Sequence, residues 1–310
     1  MSILLSAPVD DTGVAGSLVG FGAITRSGLA VDPEAVIDAT GAAVATTGAA
    51  DAPEASYDPE TRLEQMIVAR IGAAFGPAPA PVVVTVSGAV DPEATFAMLD
   101  RAFGPADPAA GREPADGEGG FERLVSERIE IPLAQAALGY IVTAPPPGAR
   151  EGLVWRMLLY VLTHDYEGRL GRVAIADRGL VYHIGSEYRT DGRRGWVTLS
   201  TGVDPGKIDA MEALLRVELA RLASDPPSAE ETEAARRHLL GRDISAAQSN
   251  EEITERLARQ YVETGGVRSH DELAVMLADI GPSDLAAAAA AFANGTIMRV
   301  DVGAPSGDQP

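Results

Sequence analysis

With 310 residues, 46% of them apolar and 23% charged, the chain has the composition of a folded protein with room for two ordinary domains. A formal net charge of -20, with no lysine- or arginine-rich run to offset it locally, argues against nucleic acid and anionic membrane as partners. The lack of any cysteine excludes disulfides, thiolate metal sites and thiol catalysis, and a reduced cytosol is the simplest expectation.

Residues 1–10 have no basic start and too short an apolar stretch for a secretory signal, and no later run approaches the ~20 apolar residues of a membrane span. A cytoplasmic location is the expectation, or a periplasmic one if a signal peptide has been removed. Residues 1–60 are rich in small side chains and are expected to pack loosely. In 59–75, Leu63, Met66, Ile67, Ile71 and Phe75 recur at steps of three and four, the stripe of an amphipathic helix, which Gly76 and Pro77 stop. The β-branched run 81–87 reads as a buried strand, and Asp91-Pro92 then caps a helix that ends near Phe103. The stretch 105–120 has no large apolar side chain and reads as a linker.

Beyond the linker, 124–142 reads as extended, and Pro145-Pro146-Pro147-Gly148 forms a turn before an apolar helix at 149–163 and a short one at 167–177. Strands at 180–189 and 195–202 are expected to form a hairpin across Asp191-Gly192. Asp204-Pro205 repeats the cap signal, followed by helices near 206–224, 228–246, 249–264 and 270–279. Ser228 to Glu231 and Ser269 to Glu272 both fit a capping box. The alanine-rich stretch 285–293 is a last helix and 296–302 a closing strand. The segment from Val84 to Pro92 also matches that from Val197 to Pro205 at a constant offset of 113. Both a duplicated unit and independent reuse of strand-to-helix chemistry account for this echo.

Glu167-Gly168-Arg169-Leu170, continuing to Arg178-Gly179-Leu180-Val181-Tyr182, resembles the second domain of the insulinase/pitrilysin metallopeptidase family. There, a helix carrying Ser-Arg-Leu runs into Arg-Glu-x-x-Gly-Leu-x-Tyr. The resemblance covers about 122–303. Residues 80–104 look like the end of the family's first domain, whereas 1–79 match poorly and are too short to supply the rest. It implies an α+β fold of clamshell-type, metallopeptidase-like domains, each an antiparallel sheet flanked by helices. The expected division is a truncated, atypical first domain at 1–104, a linker at 105–121 and a complete second domain at 122–305.

The family binds zinc through His-x-x-Glu-His on one helix, which sets two imidazoles on one face with a glutamate as general base. This chain has four histidines, His164, His183, His238 and His270, the nearest two 19 residues apart. No pair can occupy adjacent turns of one helix, and no Gly-x-Ser-x-Gly elbow offers a serine nucleophile. No catalytic residue, metal ligand or cofactor is therefore expected here, and zinc is expected only in a partner subunit.

Active members also bring an arginine and a tyrosine from the second domain to the substrate. By register the tyrosine is Tyr182, but Ile175 stands at the arginine position and Ala176 at the glutamate that follows. Arg172, Arg178 or Arg169 could reach a similar point on a long stem. Alternation places Leu180, Tyr182, Ile184 and Tyr188 on one strand face, so a core ring is the competing reading of Tyr182. The function implied is that of an inactive subunit, with Tyr182, Arg178, Arg172 and Arg169 as substrate-binding candidates. It would form one wall of a peptide chamber in a heterodimer with a zinc-bearing subunit of the same family. The alternative is a scaffold or assembly protein with the same fold and no part in peptide cleavage.

Overall fold

A computed structural model of the chain describes residues 2–9, 20–27, 58–75, 83–87, 91–103, 126–131, 135–145, 149–190 and 195–302. The expected linker at 105–121 and the hairpin turn at Asp191-Gly192 lie outside them. The described residues form two sheets and their helices, which is the α+β class expected.

The larger sheet has five strands. They are β4 (Ser126–Ile131), β5 (Ala136–Ala144), β6 (Gly185–Thr190), β7 (Gly195–Val203) and β8 (Thr296–Val302), in the order β4-β8-β5-β7-β6. Neighbours are antiparallel except for the edge strand β4, which runs parallel to β8. The central strand, β5, is an almost unbroken apolar run, as a strand covered on both faces requires. On one face, Ala136, Leu138, Tyr140, Val142 and Ala144 enter the main core beneath α3 (Ala149–Thr163), α5 (Ile208–Ser224) and α9 (Pro282–Phe292). On the other face, Ala137 and Ile141 meet Leu63, Ile67 and Ile71 of α1 (Pro59–Phe75), together with Trp196, Met298 and Val300.

The smaller sheet corrects the sequence reading of residues 1–60 as loosely packed throughout. β1 (Ser2–Val9) lies between β2 (Gly20–Ser27) and β3 (Val83–Ser87), antiparallel to both. The strands were not legible in the sequence because a pairing partner of β1, β3, is distant in the chain. α7 (Asn250–Thr264), from the far end of the chain, packs on β1 and β3. Thr85 Oγ1 donates to the carbonyl of Thr254 at 3.0 Å. The exchange is therefore reciprocal. A helix from the first part of the chain covers the five-stranded sheet, and a helix from the second part covers the three-stranded one.

Both Asp-Pro junctions act as the sequence implies. Asp91 accepts from the backbone N–H groups of Glu93 and Ala94 at the head of α2 (Pro92–Phe103), and Asp204 from that of Gly206. Capping boxes close α6 (Ala229–Ser245) at Ser228 and α8 (His270–Ala278) at Ser269, and a third, at Ser249, starts α7. Among the described residues, no single helix is long and apolar enough to cross a membrane.

Candidate functional site

The segment carrying Tyr182 is set by the helix before it. Expected as one helix at 167–177, it is a short α-helical turn (Arg169–Gly171, α4) that continues as a π-helix over Arg172–Asp177. The N–H of Arg178 reaches the carbonyl of Val173 at 3.0 Å, five residues back. α4 lies so close to the end of α3 that a Cβ on Gly171 would collide with the carbonyl oxygen of His164. Glycine is required there because any side chain would strike main chain rather than a movable side chain.

After the π-helix, Gly179 turns the chain with φ of +55°, and Lys207 Nζ holds its carbonyl at 3.0 Å. The strand expected to start at 180 begins only at Gly185. Over 180–184 the period-2 alternation therefore does not operate, and the reading of Tyr182 as a core ring is corrected. Val181 and Ile184 are buried at 4% exposure each, whereas Tyr182 is 99% exposed. Thr201 Oγ1 donates to the carbonyl of His183 at 2.6 Å, and the His183 ring meets Asp165 Oδ1 at 3.2 Å. Tyr182 thus projects from a segment anchored on both sides of it.

The arginines divide. Arg169 is consumed by structure, its side chain only 11% exposed. It forks onto Glu231 at 2.7 and 2.8 Å and donates to the carbonyls of Asp225 and Pro226. The fork, with the Ser228 amide, holds the Glu231 carboxyl down at about 2. Arg172 and Arg178 are exposed, and their guanidinium groups make no hydrogen bond or ion pair with described residues. Ile175, in the family's arginine position, packs partly buried against the main core. Sequence reasoning ranked the three arginines together because the partner of Arg169, Glu231, lies 62 residues away.

The histidines do not assemble a zinc site. His183 pairs with Asp165, and His270 Nδ1 lies 2.9 Å from Asp243 Oδ2, the same carboxylate that Arg256 contacts at 2.6 Å. His164 and His238 do converge, with ring centroids 5.5 Å apart, each packed at a tilt against the Tyr160 ring. Their meeting was not legible in the sequence, since α3 and α6 are brought together only by packing. Among the described residues no group of three or more histidine or carboxylate side chains could hold a metal ion, so the donor set does not fit zinc.

Burial lowers the pKa of His238, and the neighbouring charges of His164 and Arg242 lower it further. The folded state then binds the proton less readily than the unfolded one. Stability held above the ordinary histidine value of about 6.5 is lost as pH falls below it. Denaturant midpoints should decline from pH 7.5 to 5.5, and His238→Gln should shrink that decline. An unchanged decline would place the titration elsewhere.

A family model for the peptidase M16 inactive domain matches residues 78–239. The chain belongs to this family. M16 is the peptidase family that the Glu167 to Tyr182 motif resembles. A peptidase M16 inactive domain from Pseudomonas fluorescens aligns at 16% identity and a TM-score of 0.57, over 74% of this chain and 55% of that one. A protease from Helicobacter pylori gives 16% and 0.57, over 71% and 55%. A chain of complex III from Candida albicans gives 14% and 0.53, over 71% and 54%. At these identities the likeness is one of fold, and the M16 chain described here spans about half the length of these relatives. No curated protein matches it.

Proposed function

We propose that this M16 inactive-domain chain is a non-catalytic subunit that forms one wall of a peptide chamber with a zinc-bearing subunit of the same family. The carrying observation is Tyr182, 99% exposed on an anchored segment, with Arg178, whose guanidinium pairs with none of the described residues, next to the same turn. An exposed aromatic ring four residues from a guanidinium that no described residue engages offers apolar contact and hydrogen bonds to a passing peptide backbone. Arg172, at the start of the π-helix, extends the donor surface, while Arg169 holds the wall in shape. The reciprocal exchange of α1 and α7 ties each part of this chain to the sheet of the other, and in this reading the opposing wall comes from a partner subunit.

Zinc and the general base belong to that partner in this reading, and no step of bond cleavage is assigned to residues of this chain. Its contribution is to bind and orient the peptide, which lowers the barrier by positioning. A mixture of this chain with a zinc-bearing family subunit should turn over peptide. Tyr182→Phe should lower that turnover several-fold, and Tyr182→Ala about tenfold, the order of one good hydrogen bond plus ring contact. Unchanged turnover in both variants would remove Tyr182 from the site.

One observation favours a second reading, a scaffold without peptide contact. Ile175 fills the arginine position with an apolar side chain packed on the core. Saturable peptide binding by the chain alone, measured by calorimetry, would count against a pure scaffold.

A further inference from the structure

A polar cavity of about 120 Å³ lies at the junction of α4, α5 and α6, lined by Glu167, Arg169, Arg172, Arg221, Asp225 and Glu231. Its walls come from three places. Glu167, Arg169 and Arg172 border the short helix, Arg221 and Asp225 sit at the end of α5, and Glu231 is in the first turn of α6.

The acceptors and donors on these walls are unequally spent. Glu167 accepts from Tyr160 Oη, and Glu231 accepts from Arg169 and the Ser228 amide. Asp225 Oδ2 faces Arg221 Nε at 3.6 Å and Arg169 at 3.8 Å. Arg169 has committed its donors to Glu231 and two carbonyls. Arg221 has only long ion pairs, the 3.6 Å one to Asp225 and one of 3.8 Å to the buried Glu218, both beyond hydrogen-bond length. Arg172 has none with the described residues. What the cavity leaves unspent is therefore guanidinium N–H from two arginines, the group best matched to a planar two-oxygen acceptor.

We propose that this cavity is a carboxylate-binding site in which Arg172 and Arg221 supply the donors. The volume admits a group of that size. Three carboxylates on the wall and a chain charge of -20 disfavour a dianion such as phosphate, so a monoanion is the better occupant. The carboxylate can be a peptide C-terminus or an aspartate or glutamate side chain, which present the same chemistry. The site concerns what this chain binds by itself and does not rest on the partner reading.

Three N-acetylated peptides of small residues separate the cases when titrated into the full chain by calorimetry. One has a free C-terminus, one a C-terminal amide, and one an amide with an internal glutamate. Millimolar or tighter binding of the first alone supports the site and names a terminal carboxylate. Binding of the first and third supports it with either source. In both cases Arg172→Gln should weaken binding about tenfold, the worth of one bidentate charge-assisted pair at a partly exposed site. Because Arg172 pairs with none of the described residues, that variant should keep the thermal midpoint of the parent, and Arg221→Gln provides a second test. Equal binding of the blocked amide overturns the proposal, as do no saturable binding, inorganic phosphate competing as well as acetate, or an Arg172→Gln variant that binds like the parent.

Discussion

Leu63→Ala is expected to destabilise the protein by about 3 kcal/mol, within the range for deleting a fully buried leucine. Leu63 is 0% exposed and lies directly over the backbone of Gly139 in β5, where an added Cβ would approach its Cδ1 to 2.9 Å. The void left by the deletion is floored by a residue with no side chain to swing into it, so collapse is limited and the cavity cost is retained. A thermal midpoint lower by roughly 6–12 °C follows for a domain of this size. Gly139→Ala places a methyl group where the leucine stood, so the double variant should recover part of the loss, a coupling that additive effects would not show. A loss below about 0.5 kcal/mol, the level of an ordinary surface substitution, would mean that α1 does not dock on the five-stranded sheet.

Arg169→Ala is the second large effect, expected at about 2–3 kcal/mol. That is less than a fully buried ion pair, because Glu231 keeps 30% side-chain exposure and water can reach it. The loss has two parts. Two carbonyls at the α5–α6 turn lose their donors, and Glu231 is left with Ser228, through its amide and hydroxyl. Arg169→Lys keeps the charge but not the fork and should recover less than half. With its pKa held near 2, Glu231 contributes stability that is present above the usual glutamate range and lost as pH falls through it. In Arg169→Ala this acid limb should flatten below about pH 4.5. Urea midpoints at pH 7 and pH 3.5 measure both, and parent-like midpoints would show the pair to be solvated.

Much of the local structure was written in local signals. The Leu63 to Ile71 stripe, the Asp-Pro caps and the serine capping boxes each depend on residues within one or two helical turns, and each stands where expected. The parts that were not legible depend on distant residues. β1 and β2 are strands because β3 pairs with one of them from about 80 residues away. Arg169 is structural because of Glu231, and the two imidazoles meet because α6 packs on α3. For Tyr182, the alternation argument presumed a strand that a positive-φ glycine and the π-helix before it delay until Gly185.

The sequence by itself determined that the His-x-x-Glu-His pair is missing and that the Glu167 to Tyr182 motif is of M16 type, because both are matters of residue identity and spacing. Only the tertiary structure decided which motif residues remain free to act. Whether a side chain is spent depends on the partners that folding places within about 3 Å of it, and for Arg169 those come from another helix, while for Tyr182 there are none among the described residues.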